Sequence, residues 1–497
     1  MNPVAELDKR ELALLAIFII LKVALIFAMP LTGDEAYFTT WAANPALGYY
    51  DHPPMVGWGI HLLSLISDSY IFYRLFAFVT TLITALVIFR LAKNITYEKS
   101  ARNVALLFFI SPIALLMLLI TNDIFLLLFG ALGALYFYYA VKTSSKKQAI
   151  IAGILLGLCF LSKYFAVFLI FGLLIFALGK KNKAAIKVAI ITCLVISPFI
   201  LENLYYNYYH CWNNILFNFQ SRVSTSGPSF VEPLVFIGTL LPLIPPQGIW
   251  MLFRSRFKIT TPERSDIPKF VLLAAMPALL VFLIVSFKNR IGLHWLFLFV
   301  PFLYVLFAYL KPEKLKGLYF YNSTLSLIIG FGILTVTLFP KPILGKQKTY
   351  YQISLFTQTD NICQQLPRGG VIYSLDYTNN SMLSYFCKGN TYHVLFDVSK
   401  FGREDDKHVD IRKLDRETLT LFAMHPKDLK QISPYFDRID VKEIQIKDNP
   451  NYYLVTGYNF NYQKYRKDIL ATIAREYYNV PAWLPVGHCG FKEKYSL

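Results

Sequence analysis

The feature that most limits how this chain can fold is a series of eleven apolar runs near the length of a membrane span. A helix rises about 1.5 Å per residue, so about 20 apolar residues cross a hydrocarbon core of roughly 30 Å. The runs are 11–29, 70–92, 103–119, 121–141, 148–161, 164–178, 185–201, 232–253, 268–287, 291–310 and 318–339. They predict an α-helical polytopic membrane protein with about 11 transmembrane helices.

The composition favours a membrane protein and excludes most soluble classes. Of the 497 residues, 55% are hydrophobic and 16% are charged, against about 25% charged in an average soluble domain. A disordered chain would lack this apolar content. The net charge of +18 does not require a nucleic acid partner, because cytoplasmic loops of membrane proteins collect Lys and Arg. The sequence contains no Walker A or GxGxxG motif, so nucleotide hydrolysis is unsupported. It also contains no HExxH zinc-binding motif.

The segments between the runs differ in basic charge, which predicts the side of the membrane on which each lies. With the N-terminus assigned to the cytoplasm, the inside segments carry 21 Lys and Arg and the outside loops carry 4. This bias predicts a transmembrane domain over 1–340, in a bacterial inner membrane, with a cytoplasmic N-terminus. The odd number of runs places the tail, 341–497, on the periplasmic side.

The tail has the composition of a soluble domain. β-rich runs alternate with a helical pattern over 464–478, which predicts a small α/β domain. The β-rich runs are 371–376, 392–396, 419–424 and 452–458. Cys363, Cys387 and Cys489 also lie in the tail. In an oxidising compartment one pair of them would bridge, and free thiols are the equal alternative.

The first outer loop, 31–69, carries the most distinctive chemistry. It has no Lys or Arg, yet it is rich in acidic and aromatic residues. Its apolar stretches, 36–43 and 55–66, are too short to span a membrane. They predict helices that lie in the membrane interface with aromatic faces toward lipid. The YYDHPP element between them predicts a turn, because its two prolines remove two backbone donors.

The polar residues of this loop allow two interpretations. Asp34 or Glu35 acts as a general base beside a bound substrate, or both favour the dipole at a helix N-terminus. Asp51 and His52 bind substrate or a divalent metal, or they form an Asx turn with a solvated histidine.

Other polar residues are predicted on the same outer side. Asp123 opens the fourth run, and Lys163 lies between the fifth and the sixth. The remaining basic residues are Arg74, Arg222, Lys288, Arg290 and His294. The functional interpretation is that carboxylates transfer a proton while cations hold a phosphate. The alternatives are a helix N-cap at Asp123 and headgroup anchors at Lys163, Arg74 and Lys288.

The segment GDEAYFTTWAANPALGYYDHPPMVGWGIHLLS, residues 33–64, resembles the membrane glycosyltransferases of the GT-C fold. It is most similar to the bacterial branch grouped with the protein O-mannosyltransferases and the lipid A aminoarabinose transferase. Segments 121–141, 152–172 and 289–302 also fit that branch, and the resemblance covers about 10–310 in order.

The resemblance implies an inverting transfer of a sugar from polyprenyl (undecaprenyl) phosphate on the outer face of the membrane. It implies that Asp34 is the catalytic residue and that Asp123 is a second acidic group of the site. The aminoarabinose transferases carry Lys where this chain has His52 and Arg where it has Tyr37, so the contact to the carrier phosphate differs here. The predicted substrate-binding residues are Glu35, Tyr37, Asp51, His52, Lys163, Arg222, Lys288, Arg290 and His294.

The predicted function is transfer of a sugar from undecaprenyl phosphate to lipid A or another envelope acceptor. A protein hydroxyl as acceptor is an alternative, and an O-antigen polymerase or ligase is a close neighbour. A transporter or flippase of lipid-linked sugars is an alternative of another class. It would need polar residues at the bilayer midplane, where Lys22 is the main charged residue. A non-catalytic scaffold leaves the first outer loop unexplained.

Overall fold

A computed structural model of the protein describes residues 8–221, 229–255, 266–340, 347–447 and 449–497. Over these residues the chain forms two compact units. The first unit consists of 8–29, 67–201 and 229–334, and the second of 30–66, 202–221 and 335–497, each within the described ranges.

The first unit is helical throughout its described part. Its α-helices are Lys9–Ala28, Tyr70–Ala92, Glu98–Phe109, Pro112–Leu116, Asn122–Thr143, Lys146–Ser162, Ala166–Leu178, Lys183–Tyr208, Val231–Leu240, Pro246–Ser255, Ile267–Ser286, Val300–Tyr304 and Pro312–Leu338. Leu293–Leu296 and Val305–Tyr309 are 3-10 helices. Helix Lys183–Tyr208 continues past Leu201 into the second unit.

Six helices of the described chain are long and apolar enough to cross a membrane. They are Lys9–Ala28, Tyr70–Ala92, Asn122–Thr143, Lys183–Tyr208, Ile267–Ser286 and Pro312–Leu338. Each coincides with one of the predicted runs. The other predicted runs correspond to shorter or divided helices.

Prolines explain two of the divided runs. Within run 103–119, one helix ends at Phe109 and another begins at Pro112. The ring of Pro112 removes a backbone hydrogen-bond donor. The Ser111 hydroxyl caps the second helix by accepting from Ala114 N at 3.4 Å. Run 232–253 is likewise divided before Pro246. A single continuous helix is therefore the wrong prediction for both runs.

The charge in the middle of the first span is satisfied inside the protein. Lys22 is fully buried, and its ammonium donates a hydrogen bond to the Ala114 carbonyl. The ammonium also lies 5.0 Å from the centre of the Phe109 ring. Lys22 thus joins the first span to the divided run by a contact with the backbone.

The second unit contains one mixed five-stranded sheet. Its strands are β1 (Val371–Ser374), β2 (Thr391–Val394), β3 (Leu419–Ala423), β4 (Arg438–Ile444) and β5 (Tyr452–Tyr458). The spatial order is β2-β1-β3-β5-β4. β1 pairs in parallel with β2 and β3, whereas β5 pairs antiparallel with β3 and β4. Four of the strands lie at the predicted β-rich runs.

The sheet is buried on both faces at its centre. Successive residues of a strand point to opposite faces. Accordingly, Leu421 belongs to one apolar cluster with Val455, and Phe422 to another with Ile372. Edge strand β4 is exposed along most of its length and rich in charge. Its sequence therefore lacks the apolar signal by which the other strands were predicted.

Short helices surround this sheet and include the two helices of the first outer loop. The α-helices are Gly33–Ala43, Met55–Ser64, Asn213–Leu216, Gln347–Cys363, Tyr377–Phe386, Asp405–His408, Pro426–Ile432, Tyr462–Tyr465, Ala471–Tyr477 and Gly490–Tyr495. Phe217–Ser221 and Arg466–Leu470 are π-helical, and Ile411–Leu414 and Ser433–Tyr435 are 3-10 helices.

Two disulfides fasten the second unit. Cys363 bonds Cys387, and Cys211 bonds Cys489 across 278 positions of sequence. The free-thiol alternative is therefore wrong for the tail cysteines. The expectation of a single bridge within the tail was also incomplete, because Cys489 finds its partner outside the tail.

Candidate active site

Asp34 lies in the first turn of helix Gly33–Ala43, with its side chain exposed. The preceding Thr32 and the following Glu35 form a reciprocal cap: Thr32 N donates to Glu35 Oε2 at 3.1 Å, and Glu35 N to Thr32 Oγ1 at 3.4 Å. Glu35 is fully buried by this arrangement. The neighbouring acids thus take different places, with Glu35 fixing the helix start and Asp34 facing outward.

The first turn of this helix packs closely on helix Tyr377–Phe386 of the tail. A Cβ on Gly33 would lie 2.0 Å from Thr378 Cγ2, so a larger residue at this position requires Thr378 or its helix to shift. Tyr377 donates a hydrogen bond from its hydroxyl to Asp34 Oδ1 at 3.1 Å. This bond orients the Asp34 carboxylate.

The Tyr377 hydroxyl stays protonated in this position. Burial raises the pKa of Tyr377, and the negative charge of Asp34 raises it further. A hydrogen bond donated to a carboxylate stabilises its charged form. Asp34 and Tyr377 thus form a hydrogen-bonded pair in which the phenol is the donor and the carboxylate is the acceptor.

The YYDHPP turn is fixed by side chains that lie far away in sequence. The contacts are Asn214 Nδ2 to Tyr49 O at 2.7 Å, Tyr50 N to Glu404 Oε2 at 2.6 Å, and Asn218 Nδ2 to Asp51 O at 2.8 Å. Glu404 also accepts from the Lys407 ammonium at 2.8 Å, which balances its charge. The backbone of the turn is thus held at three successive residues.

Asp51 and His52 are both buried, at 6% and 7% exposure. The alternative of a solvated histidine is therefore wrong. The His52 ring lies 6.2 Å from Phe38 and 6.3 Å from Trp41, between centroids. Among the described residues, no group of three His, Cys, Asp or Glu side chains is placed to hold a metal ion.

The aromatic residues of the first outer loop are mostly packed inside the second unit. Tyr37, Trp41, Tyr49 and Tyr50 are each at most 6% exposed. The prediction that aromatic faces of helix 36–43 meet lipid is wrong for Tyr37 and Trp41. The exposed apolar side chains at the end of the second loop helix are aliphatic instead: Leu62, Leu65 and Ile66.

In the first unit, Asp123 and Lys163 form a buried ion pair. Lys163 Nζ lies 2.8 Å from Asp123 Oδ1, and the two side chains are 2% and 4% exposed. Asp123 lies in the first turn of helix Asn122–Thr143, and Lys163 follows helix Lys146–Ser162. The alternative of Lys163 as an anchor in the headgroups is wrong, because its ammonium is enclosed by protein.

Arg74 is not a headgroup anchor either. It is fully buried and donates to the carbonyls of Met29 at 2.6 Å and Ile26 at 3.3 Å. These carbonyls end helix Lys9–Ala28, where a cation is favourable. Lys288, Arg290 and His294 are exposed. Arg222 lies outside the described residues.

Several residues that support the site were not predicted from sequence. They are Tyr377, Glu404, Asn214 and Asn218, which contact the first outer loop from 165 or more positions away. No local motif marks any of them. A charged residue that is nine-tenths buried, as Glu404 is, becomes visible only in the folded protein.

The fold and the polar site together define a multi-pass membrane protein with an acidic group on a short non-spanning helix. Residues 51–205 match the model of the family described as dolichyl-phosphate-mannose-protein mannosyltransferase. The chain is 25% identical over 333 residues to the lipid A galacturonosyltransferase RgtD of Rhizobium johnstonii, covering 63% of this chain and 67% of the relative.

Two crystal structures of ArnT from Cupriavidus metallidurans share the fold. One is in the apo state and the other is bound to undecaprenyl phosphate, with sequence identities of 12% and 13%. Each has a TM-score of 0.60, and each comparison covers 89% of this chain and 97% of ArnT. Together these findings support a membrane glycosyltransferase with the GT-C fold that is seen in ArnT. These similarities favour an enzyme over the transporter and scaffold alternatives.

Proposed function

We propose that the protein transfers a sugar from polyprenyl (undecaprenyl) phosphate to lipid A or a related envelope glycolipid. The similarity to RgtD carries this proposal, because that relative acts on lipid A by name and matches over 333 residues. The fold shared with ArnT bound to undecaprenyl phosphate supports the choice of carrier.

The reaction is proposed for the periplasmic face of a bacterial inner membrane, with the N-terminus in the cytoplasm and 341–497 outside. The basic charge of the predicted inside segments, 21 against 4, supports this orientation. The two disulfides of the second unit support it independently, since such bonds persist in oxidising compartments.

In the proposed mechanism, Asp34 accepts the proton of the acceptor hydroxyl. The acceptor oxygen forms a bond to the anomeric carbon of the donor sugar from the face opposite the phosphate. The bond between that carbon and the phosphate oxygen breaks, and polyprenyl phosphate leaves with the electron pair. The configuration at the anomeric carbon of the transferred sugar is thereby inverted. Where the acceptor is an ionised phosphate, Asp34 orients it and takes no proton. Tyr377 holds the Asp34 carboxylate in its charged form.

Cations are needed where negative charge develops on the leaving phosphate. Lys288 and Arg290 are exposed and suit a carrier that arrives from outside the protein. Lys163 suits a positioning role with Asp123, because the two neutralise each other in a buried pair. His52 stands where the aminoarabinose transferases have lysine, and it is packed among aromatic rings.

A protein hydroxyl is the alternative acceptor. The family model that matches 51–205 is described as a protein mannosyltransferase, and this description favours a protein acceptor. Loss of sugar from glycoproteins, with lipid A unchanged, would replace lipid A by protein as the acceptor.

The test is mass spectrometry of lipid A and of glycoproteins from cells with and without the gene. We expect deletion to remove a sugar-sized mass from lipid A, and the wild-type gene to restore it. Asp34→Asn, which keeps the shape and removes the charge, should lower transfer by about 10²-fold or more. Asp68→Asn changes an exposed carboxylate of the same loop and serves as the matched control, with transfer near wild type. Near-wild-type transfer by purified Asp34→Asn protein contradicts the catalytic assignment.

A further inference from the structure

Loop 481–487 of the tail combines an apolar sequence with an exposed tip. Its sequence is PAWLPVG, which contains no charged residue. Trp483 is 80% exposed, whereas the other large apolar side chains in the described part of the tail are at most 43% exposed. An indole this open to water is unusual on a soluble surface, because Trp is highly buried on average. The tip therefore has the character of a surface that meets a partner.

Two prolines and one hydrogen bond fix the shape of this tip. The rings of Pro481 and Pro485 restrict the φ angles of both residues. Leu484 N donates to Pro481 O at 2.9 Å and closes a β-turn that contains Trp483. The turn therefore presents the indole at a defined place.

The end of the loop is fastened to the last turn of helix Lys183–Tyr208. Gly487 N donates to Tyr208 O at 3.0 Å, and Trp212 Nε1 donates to Pro485 O at 2.6 Å. A Cβ on Gly487 would lie 2.3 Å from Tyr208 Cε1, so the two backbones approach closely here. The position of the loop is therefore set by the position of the helix end.

That helix end has the composition of a membrane interface. Helix Lys183–Tyr208 is long and apolar enough to cross a membrane, and its residues 188–201 carry no charge. Glu202 ends the uncharged stretch, and the following Tyr205 and Tyr209 are 59% and 42% exposed. Tyr and Trp are enriched at headgroup level on both sides of a membrane. This pattern places the helix end, and with it the fastened loop, at headgroup level.

A single exposed apolar side chain also occurs on soluble proteins, so exposure alone does not define the partner of Trp483. The attachment to the helix end does, because it brings lipid within reach of the tip. An indole in the interface buries its rings while its N–H stays near water and headgroups. The absence of charge in loop 481–487 also avoids the cost of moving an ionised group toward the acyl chains.

We propose that loop 481–487 anchors the tail to the bilayer surface, with Trp483 inserted between the lipid headgroups and the upper acyl chains. The partner is the phospholipid of the leaflet at which helix Lys183–Tyr208 ends. This anchor is independent of the sugar and of the acceptor that the enzyme uses.

The experiment measures the depth of the loop in full-length protein reconstituted into phosphatidylcholine vesicles. Cys193→Ser removes the exposed free thiol, and Ala482→Cys places a bimane label next to Trp483 at an exposed position. The label is quenched either by a nitroxide on the lipid headgroup or by iodide in the water. An anchored side chain lies within about 5–10 Å of the boundary between headgroups and acyl chains. We therefore expect the lipid nitroxide to quench this label at least about twofold more than the same label at Val441→Cys, on exposed edge strand β4.

Matched substitutions in the protein labelled at position 482 test the role of the indole. Trp483→Asp should reduce quenching by the lipid nitroxide at least about twofold and increase quenching by iodide, because a charged side chain leaves the interface. Trp483→Tyr should retain most of the lipid signal. Val441→Asp, the same change at another exposed apolar residue of the tail, should alter neither signal. Both Asp variants replace exposed side chains and should keep the thermal midpoint of the parent in detergent.

Three results would overturn the proposal. The first is equal quenching of the labels at 482 and 441 by the lipid nitroxide, and the second is an unchanged 482 signal in Trp483→Asp. The third is protection of the 482 label from both quenchers, which would mean that protein covers the loop. If that protection disappears when the protein is diluted in the vesicles, the occupant is a second copy of this chain.

Discussion

At the scale of single residues, Asp34 and Glu35 differ in environment because one step along a helix turns a side chain by about 100°. Glu35 points inward and completes the cap with Thr32, whereas Asp34 points outward to the Tyr377 hydroxyl. The sequence assigned the same two interpretations to both acids. The geometry separates them, with the structural interpretation applying to Glu35 and the proposed catalytic interpretation fitting Asp34.

The hydrogen bond from Tyr377 to Asp34 predicts a specific pH dependence. A donated hydrogen bond stabilises the carboxylate over the carboxylic acid, so transfer that needs the carboxylate persists to lower pH. In Tyr377→Phe this stabilisation is lost. We expect the acid limb of the profile of kcat/KM against pH to move to higher pH by up to about one unit, since one pKa unit corresponds to about 1.4 kcal/mol and a typical hydrogen bond contributes about 0.5–1.5 kcal/mol.

Tyr385→Phe provides the control for this measurement. Tyr385 lies on the same helix, Tyr377–Phe386. Its Phe variant should keep both the wild-type acid limb and the wild-type rate. An unchanged acid limb in Tyr377→Phe, measured with a full profile from pH 4 to 9 (about five units), argues against Asp34 as the titrating base.

At the scale of elements, the sequence predicted well where one local pattern decides the structure. The two helices of the first outer loop, the six spanning helices and four of the five strands lie where apolar periodicity placed them. The sequence predicted poorly where a proline interrupts an apolar run or where a strand lies at the edge of the sheet. Pro112 divides one run, and β4 is an exposed charged edge without the apolar signal.

The buried ion pair of Asp123 and Lys163 predicts that removing one partner lowers the stability of the protein. Lys163→Met leaves the Asp123 carboxylate buried without its charged partner, which typically costs about 3–5 kcal/mol. The double variant Asp123→Asn/Lys163→Met removes both charges and should recover most of that loss. The measurement is the midpoint of thermal unfolding of the purified protein in detergent.

The exposed ion pair of Arg475 and Glu476 provides the comparison for these variants. Its side chains are 69% and 51% exposed, so Arg475→Met should change the free energy of unfolding by less than about 1 kcal/mol. If Lys163→Met unfolds at the same temperature as Arg475→Met, the Asp123–Lys163 pair does not support the first unit.

At the scale of the whole molecule, the proposed site depends on segments that are distant in sequence. The first outer loop contacts Asn214 and Asn218 in one distant segment of the sequence. It contacts Tyr377 and Glu404 in another. Periodicity and composition describe one segment at a time, so they identified Asp34 but gave no information about its partners. The same limit applies to Cys211, whose bond to Cys489 joins segments 278 positions apart.

That disulfide predicts how the second unit is stabilised. Closing a long loop removes conformational freedom from the unfolded chain, and a native disulfide typically contributes about 2–4 kcal/mol. Cys211→Ser and Cys489→Ser should therefore lower the thermal midpoint by several degrees each, and the double variant should fall no further because both single changes remove one bond. Cys193→Ser, which changes an exposed free thiol, should leave the midpoint unchanged. Differential scanning of the four proteins under non-reducing conditions gives the comparison. A double variant that falls well below both single variants would mean that the two sulfur atoms act separately and that the bond is not formed in the protein as isolated.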